Sequence, residues 1–296
     1  MGVKDREAVL GFLAQNAGLE VPSVAEQRAN IDAFAGFFPV PEGTEVEPAT
    51  LGGVKGEWVR ARRAKRDAVL LYLHGGGYVI GSPASHRHFV AALGEASGLS
   101  AFSADYRLGP ETPFPGAVED AVAAYKGLLD SGIAPAKLAI AGDSAGGGLT
   151  IATLVALRDR KIPLPATAVT LSPWVDLTGS GESLRARAKR DPIVGEEALH
   201  KMAAAYLGGA DPKTPLASPI FADLKGLPPL LIQVGTEETL YDDAVRLAAR
   251  ASEAGVEVSV EYWGGMIHVW QVFYPLLSEG RDAIQRIGSY LKARID

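Results

Sequence analysis

Ser144 lies in the stretch Gly142-Asp-Ser-Ala-Gly-Gly147, where small residues surround a single hydroxyl group. The apolar run at residues 137–141 predicts a buried strand before it, and residues 145–160 follow with helical spacing and no proline. A Gly-x-Ser-x-Gly pattern at a strand-to-helix corner is typical of a strained turn that exposes a nucleophilic serine. A glycine-rich helix start that binds an anion or only packs closely would show the same short motif, so further residues must decide between them.

A hydroxyl nucleophile needs a base, and the chain contains five histidines. Only His200 and His268 follow Ser144, as the order serine, acid, histidine of α/β hydrolases requires. His268 lies in a glycine-containing loop just after the last predicted strand, from which its imidazole could reach back over the sheet. His200 lies within a predicted helix, which favours a surface or packing role. We therefore predict that His268 is the base.

The acid that holds the imidazole in its correct tautomer should lie between Ser144 and His268, at the end of a strand. Residues 234–243 follow a buried strand and contain four carboxylates, namely Glu237, Glu238, Asp242 and Asp243. Asp242 and Asp243 suit the first turn of a helix, where a negative charge favours the helix dipole. Glu237 and Glu238 remain the candidates for the acid.

Acyl transfer also needs hydrogen-bond donors for the negative charge that develops on the carbonyl oxygen. The motif His74-Gly-Gly-Gly-Tyr78 comes directly after the predicted strand at residues 69–73, and its glycines let backbone N–H groups approach such an oxygen closely. The predicted donors of this oxyanion hole are the amides of Gly75, Gly76 and Ala145. His74 is expected to organise the loop.

Composition excludes several classes of protein. The 296 residues are 47% hydrophobic and 22% charged with a net charge of -6, which predicts a globular protein without a broad nucleic-acid surface. The absence of cysteine excludes thiolate metal sites, and no carboxylate spacing supports a metal pair of His86 and His88. We expect no metal and no cofactor. The sequence shows no signal peptide and no long apolar run, so we also expect a cytoplasmic protein that does not bind membranes.

Strand and helix patterns alternate from residue 53 onward. This alternation predicts an α/β fold with a mostly parallel sheet and helices on both faces. The predicted strands are residues 54–61, 69–73, 100–105, 137–141, 168–171, 230–234 and 256–262. The predicted helices between them are residues 86–96, 114–129, 145–160, 241–254 and 279–293.

Two segments interrupt this alternation and could form a lid. The first segment, residues 1–38, contains two amphipathic helical patterns. The second segment, residues 184–218, contains a charged turn followed by a helical pattern at residues 196–207. We therefore predict a catalytic domain at residues 46–183 and 219–296. Residues 1–45 and 184–218 would form its cap.

Four motifs together carry a resemblance to a known family. They are His74-Gly-Gly-Gly-Tyr78, Gly142-Asp-Ser-Ala-Gly-Gly147, Gly264-Gly-Met-Ile-His268 and the stretch Asp-Tyr-Arg-Leu-Gly-Pro-Glu-Thr-Pro-Phe-Pro-Gly-Ala-Val-Glu-Asp at residues 105–120. With these motifs the chain resembles the hormone-sensitive-lipase-like group of α/β hydrolases, the bacterial esterases of family IV. The resemblance implies Ser144 as nucleophile and His268 as base, and a helical cap over the α/β-hydrolase fold.

The resemblance also bears on the acid and on the oxyanion hole. It implies the same three donors, Gly75, Gly76 and Ala145. The family's usual Asp-Pro-Leu-x-Asp-Glu aligns onto residues 238–243, which puts Glu238 in the place of the acid. The chain departs from the pattern with Glu for Asp and Thr for Pro. Glu237 remains an alternative candidate for the acid, because a shift of the alignment by one residue would put it in that place.

The implied activity is that of a serine carboxylesterase that hydrolyses short- to medium-chain acyl esters, a small-molecule substrate, through an acyl-enzyme. Lactone hydrolysis, deacetylation and amide cleavage would use the same residues, and the sequence does not separate them. A non-catalytic small-molecule receptor on this fold is the alternative from a different class, and the presence of His268 argues against it. Many relatives form homodimers through the last strand and helix, and the sequence leaves monomer and homodimer open.

Overall fold

One twisted sheet organises the chain, whose computed structural model describes residues 7–11, 13 and 23–295. The sheet has eight strands in the order β1-β2-β4-β3-β5-β6-β7-β8. β2 is antiparallel to β1 and to β4, and all other neighbours are parallel, which confirms the predicted α/β class. The strands are β1 (Glu45–Leu51), β2 (Val54–Arg60), β3 (Lys65–Leu73), β4 (Leu99–Ala104), β5 (Leu138–Asp143), β6 (Thr167–Leu171), β7 (Leu230–Gly235) and β8 (Val258–Trp263).

Helices cover both faces of this sheet. Alternate residues of β3 show why: Leu71 packs into one hydrophobic cluster with α3, α4 and α7, and Leu70 packs into another with α2 and α8. A parallel sheet is stable only when both faces are buried in this way. The helices are α1 (Val24–Ala35), α2 (Pro83–Ser97), α3 (Gly116–Asp130), α4 (Ala145–Asp159), α5 (Ser183–Ala186), α6 (Glu196–Leu207), α7 (Tyr241–Glu253) and α8 (Ser278–Lys292).

The two segments outside the alternation contribute α1, α5 and α6. α1 begins at a capping box of Ser23 and Glu26, and Arg28 attaches it to the core by donating to the carbonyl oxygens of Val79 and Gly109 at 2.8 and 2.9 Å. α6 spans the predicted residues 196–207. The first predicted N-terminal helix falls largely outside the described residues.

The prediction missed β1. This strand reads Glu-Val-Glu-Pro-Ala-Thr-Leu, and its largely exposed position at the sheet edge explains both the weak apolar pattern and the tolerance of Pro48. The predicted strand at residues 69–73 begins earlier, at Lys65, where its pairing with β4 is irregular. No helix within the described ranges has both the length and the apolar character that a membrane crossing requires.

Candidate active site

Ser144 occupies the sharp turn between β5 and α4. Its φ and ψ angles are 52° and -120°, a left-handed conformation that a side chain rarely adopts. The turn brings backbone so close that a Cβ atom on Gly142 would lie 2.2 Å from the Gly146 oxygen, and one on Gly146 would lie 1.9 Å from the Leu73 oxygen. The small residues around the serine are therefore a steric requirement of this turn.

The structure brings His268 to Ser144. His268 follows β8, and its Nε2 atom lies 2.9 Å from Ser144 Oγ. Its Nδ1 atom lies 2.8 Å from Oε2 of Glu238, which follows β7. His200 is exposed on α6 and takes no part in this contact. Of the two histidines that follow the serine, only His268 has the geometry of a base.

The same geometry separates the two candidate acids. Glu238 is fully buried, and its Oε1 atom accepts hydrogen bonds from Ser172 Oγ at 3.0 Å and from the Gly235 amide at 2.5 Å. Glu237 instead faces Arg190, whose guanidinium lies 3.8 Å away. The structure thus joins Glu238, and not Glu237, to the imidazole.

Ser172 is a residue that sequence reasoning missed. It directly follows β6 and has a positive φ of 46°, and its hydroxyl both donates to Glu238 and accepts from the Val269 amide at 3.1 Å. It therefore ties Glu238 to the residue next to His268. Its sequence context, Leu-Ser-Pro, carries no signal of this role, because the partners lie 66 and 97 residues away.

The structure corrects one of the three predicted oxyanion donors. The Gly75 N–H donates to Oδ1 of Asp143 at 2.9 Å, so it is not available to a substrate oxygen. Gly76 and Gly77 line the cavity that contains Ser144, and within the described residues neither amide donates to a protein acceptor. The reason is a buried carboxylate one residue before the nucleophile, which captures the first amide of the glycine turn.

The third predicted donor, Ala145, lies at a helix N-terminus. Ala145 is the first residue of α4, where a backbone N–H has no acceptor within the helix. Gly76 and Gly77 line the same cavity as Ser144, and Ala145 is the next residue in the chain. His74, as expected, organises the loop, since its ring stacks on Tyr106 with centroids 4.3 Å apart.

Comparisons with known proteins identify the family. A family model described as the alpha/beta hydrolase fold matches residues 70–272. A solved structure of an esterase from the bacterial hormone-sensitive lipase family superposes with a TM-score of 0.98 at 47% identity, covering 100% of both chains. The chain belongs to the hormone-sensitive-lipase-like family of α/β hydrolases. It is a carboxylic ester hydrolase.

Curated relatives of this hydrolase are similar along most of their length. An acetyl-hydrolase of Streptomyces hygroscopicus is 50% identical over 96% of this chain and 93% of its own. An esterase of Acinetobacter venetianus is 34% identical over 89% of this chain and 87% of its own.

In this hydrolase the imidazole of His268 lies beside the negatively charged Glu238. Burial opposes protonation of His268, but the hydrogen bond and the negative charge of Glu238 raise the pKa of the imidazole. The positive charge that the ring acquires when it takes a proton is therefore stabilised on the side away from Ser144. This is the property that a general base beside a serine needs.

A cavity of about 760 Å³ opens above Ser144. Its walls are mostly apolar and come from α1, from α6 and from the loop after His268, with Phe34, Leu199 and Phe273 as representative side chains. Exposed Phe37 and Ile193 also line it. Among the described residues, no group of three His, Cys, Asp or Glu side chains could hold a metal ion.

The segment at residues 184–218 is tied to the loop that carries Glu238. The buried Asp191 accepts from the amide of Thr239, the neighbour of Glu238, at 3.0 Å and from the amide of Ile193 at 3.0 Å. Asp191 had no recognisable signal in the sequence. It connects the cavity wall to the loop that carries Glu238.

Asp243 does more than the helix-dipole role that its position suggested. Its carboxylate is buried and accepts from the amides of Val175 and Asp176, both at 2.9 Å. Burial raises its pKa to about 7, while these hydrogen bonds oppose the shift. Asp243 therefore fixes the loop that follows Ser172.

Proposed function

We propose that this hydrolase is a serine carboxylesterase that cleaves short- to medium-chain acyl esters through Ser144, His268 and Glu238. The observation that carries the proposal is the continuous pair of hydrogen bonds, 2.9 and 2.8 Å long, from Ser144 Oγ through the imidazole to Glu238. These three residues come from three different strand ends; Ser144 and His268 line one cavity, and Glu238 is buried next to His268.

The arrangement supports a two-step reaction. Ser144 Oγ attacks the ester carbonyl carbon while His268 Nε2 takes the hydroxyl proton, which gives a tetrahedral oxyanion. His268 then passes this proton to the departing alcohol oxygen, and the carbon–oxygen bond breaks to leave an acyl-enzyme. Water attacks the acyl-enzyme with the same proton transfers and releases the acid.

We assign the oxyanion hole to the amides of Gly76, Gly77 and Ala145. The assignment replaces Gly75 by Gly77 because Asp143 occupies the Gly75 amide. All three remaining donors are backbone groups, so they are held in position before the substrate arrives and need no reorganisation during the reaction.

The cap supports the limit on acyl length. Sites for small ligands commonly enclose about 300 to 1,000 Å³, and the cavity falls within this range. α1 and α6 contribute walls to it, which favours a bounded pocket over an open lipid-binding face. We extend the proposal to the domains: residues 1–45 and 184–218 form the cap, and the remainder is the catalytic domain for a small-molecule ester.

Removal of acetyl groups is a second candidate within this activity. The relative that favours it is the acetyl-hydrolase of Streptomyces hygroscopicus, with 50% identity. Acetyl is the smallest acyl group of a short-chain ester, so the two candidates need the same residues and differ in the preferred substrate.

Hydrolysis of p-nitrophenyl esters from acetate to palmitate tests the proposal. We expect turnover confined to the shorter chains, and a loss in Ser144→Ala on the order of 10⁶ in kcat, as for serine triads in general. His200→Gln is the matched control and should retain wild-type activity, since this histidine is exposed on α6. A Ser144→Ala protein that folds and hydrolyses these esters at the wild-type rate would refute the mechanism. A maximal rate on acetate would favour the acetyl-hydrolase candidate.

A further inference from the structure

Asp143 lies between the nucleophile and the oxyanion loop. Its side chain is 4% exposed, and its Oδ1 atom accepts hydrogen bonds from Tyr72 Oη at 2.6 Å and from the Gly75 amide at 2.9 Å. The loop approaches so closely that a Cβ atom on Gly75 would lie 2.1 Å from Asp143 Oδ2. The position of this carboxylate therefore sets the position of the glycine turn.

A buried histidine, His86, contacts the other carboxylate oxygen of Asp143. His86, near the start of α2, places Nε2 3.3 Å from Asp143 Oδ2 and Nδ1 2.8 Å from Ser85 Oγ. Ser85 Oγ also lies 2.8 Å from the Ser82 carbonyl oxygen, which can only accept. Ser85 has one hydroxyl proton, and donating it to this oxygen leaves Oγ as an acceptor for His86.

This count of protons favours a doubly protonated His86. Nδ1 must carry a proton to donate to Ser85, and Nε2 must carry one to donate to the carboxylate of Asp143. The ring that satisfies every partner is therefore the imidazolium. Burial opposes this charge, but Asp143 and a hydrogen bond to it raise the pKa of His86 above its ordinary value.

None of the three titratable groups considered next carries a charge that opposes the protonated form of His86. Burial lowers the pKa of His74, whose ring centre lies 5.6 Å from that of His86, to about 3, so this ring is uncharged. Burial raises the pKa of Tyr72 far above its ordinary value, so its hydroxyl stays protonated. Asp32 on α1 is exposed, and its negative charge also favours the protonated form of His86.

We propose that protonated His86 is a positioning residue for the oxyanion hole. It acts through Asp143: it orients the carboxylate that holds the Gly75 amide, and it neutralises a negative charge that would otherwise oppose the oxyanion beside Ser144. An uncompensated buried charge this close to a developing charge of the same sign is costly, because the low dielectric of the site strengthens the repulsion. The inference rests on the proposed function of the cavity.

Two kinetic consequences follow. Because the effect concerns the transition state, loss of the positive charge should lower kcat and leave KM nearly unchanged. The wild-type enzyme should also lose activity as the pH rises through the raised pKa of His86, since the charge is present only below that pKa. Deprotonation of His268 has the opposite sign and gives the acid side of the profile.

The test compares His86→Gln with His200→Gln on a short p-nitrophenyl ester across neutral and alkaline pH. Glutamine can still donate to Asp143 but carries no charge. We expect kcat to fall about tenfold in His86→Gln, less than the 10² to 10³ that removal of an oxyanion donor costs. At high pH the wild-type rate should fall toward that of this variant, which should show no alkaline decline. His200→Gln should follow the wild type throughout.

A folded His86→Gln protein with the wild-type kcat and pH profile would overturn the inference. If this variant does not fold, ¹⁵N NMR of the imidazoles in the wild-type protein decides, with signals assigned from variants of the other four histidines. Both nitrogens of His86 should be protonated at neutral pH, and a neutral tautomer would contradict the proposal. Failure of the proposed function is distinguishable, because it would appear as wild-type turnover that does not depend on Ser144.

Discussion

Replacing Glu238 by glutamine tests the reasoning about the acid most directly. Oε1 of Glu238 accepts from two donors, Ser172 Oγ and the Gly235 amide, and Oε2 faces His268 Nδ1. A glutamine has one oxygen and one NH₂ group. The two donors should attract its oxygen, which leaves the NH₂ group facing the imidazole.

The consequence is an imidazole in the wrong tautomer. An NH₂ group beside Nδ1 can only donate, so His268 would accept there and carry its proton on Nε2, where it cannot take the proton of Ser144. The equivalent change of acid to amide in a serine protease triad lowers kcat about 10⁴-fold, or about 5.4 kcal/mol in the barrier. We expect a loss of this size in Glu238→Gln, with KM nearly unchanged.

The assay is the pH profile of kcat and KM for p-nitrophenyl acetate hydrolysis. Glu237→Gln is the matched control and should stay within twofold of wild type, because its ion pair with Arg190 is long and open to solvent on the arginine side, and such pairs contribute little. Wild-type activity should fall as the pH drops through the raised pKa of His268, and in Glu238→Gln this decline should move to lower pH because the negative charge is absent. A folded Glu238→Gln enzyme that loses less than tenfold in kcat, or an equal loss in Glu237→Gln, would refute the assignment.

Two further changes test the surroundings of the site. Gly75→Ala places a Cβ atom 2.1 Å from Asp143 Oδ2, so the oxyanion loop should shift and kcat should fall on the order of 10². Gly195→Ala is the control and should retain the wild-type rate, because a Cβ atom there meets open space. Equal rates in the two variants would contradict the role of the loop. Asp191→Ala leaves the buried amide of Thr239 unpaired and should lower the free energy of unfolding by about 3 kcal/mol in urea titrations. The matched control Asp211→Ala, at an exposed turn residue, should cost less than about 1 kcal/mol, and similar losses in the two variants would show that the Asp191 contact is unimportant.

Local patterns account for what could be predicted from the sequence. Ser144 was recognisable because the turn that exposes it requires small residues within two positions on either side, and His268 because few histidines follow the serine. The order of buried strands and amphipathic helices predicted the mostly parallel sheet, since these patterns reflect burial of each element. β1 was missed because an exposed edge strand lacks such a pattern.

Only the tertiary structure decided between residues that are neighbours in the sequence. Glu237 and Glu238 differ by one register step, and the choice depends on which carboxylate the end of β7 turns toward the loop after β8. Gly75 and Gly77 are equally small, and the choice depends on Asp143, 68 residues away from Gly75, which binds the first amide. The chain by itself therefore determined the kinds of groups and their order. Which atoms meet was decided by strand ends brought together in the sheet, because hydrogen bonds form over about 3 Å whatever the separation along the chain.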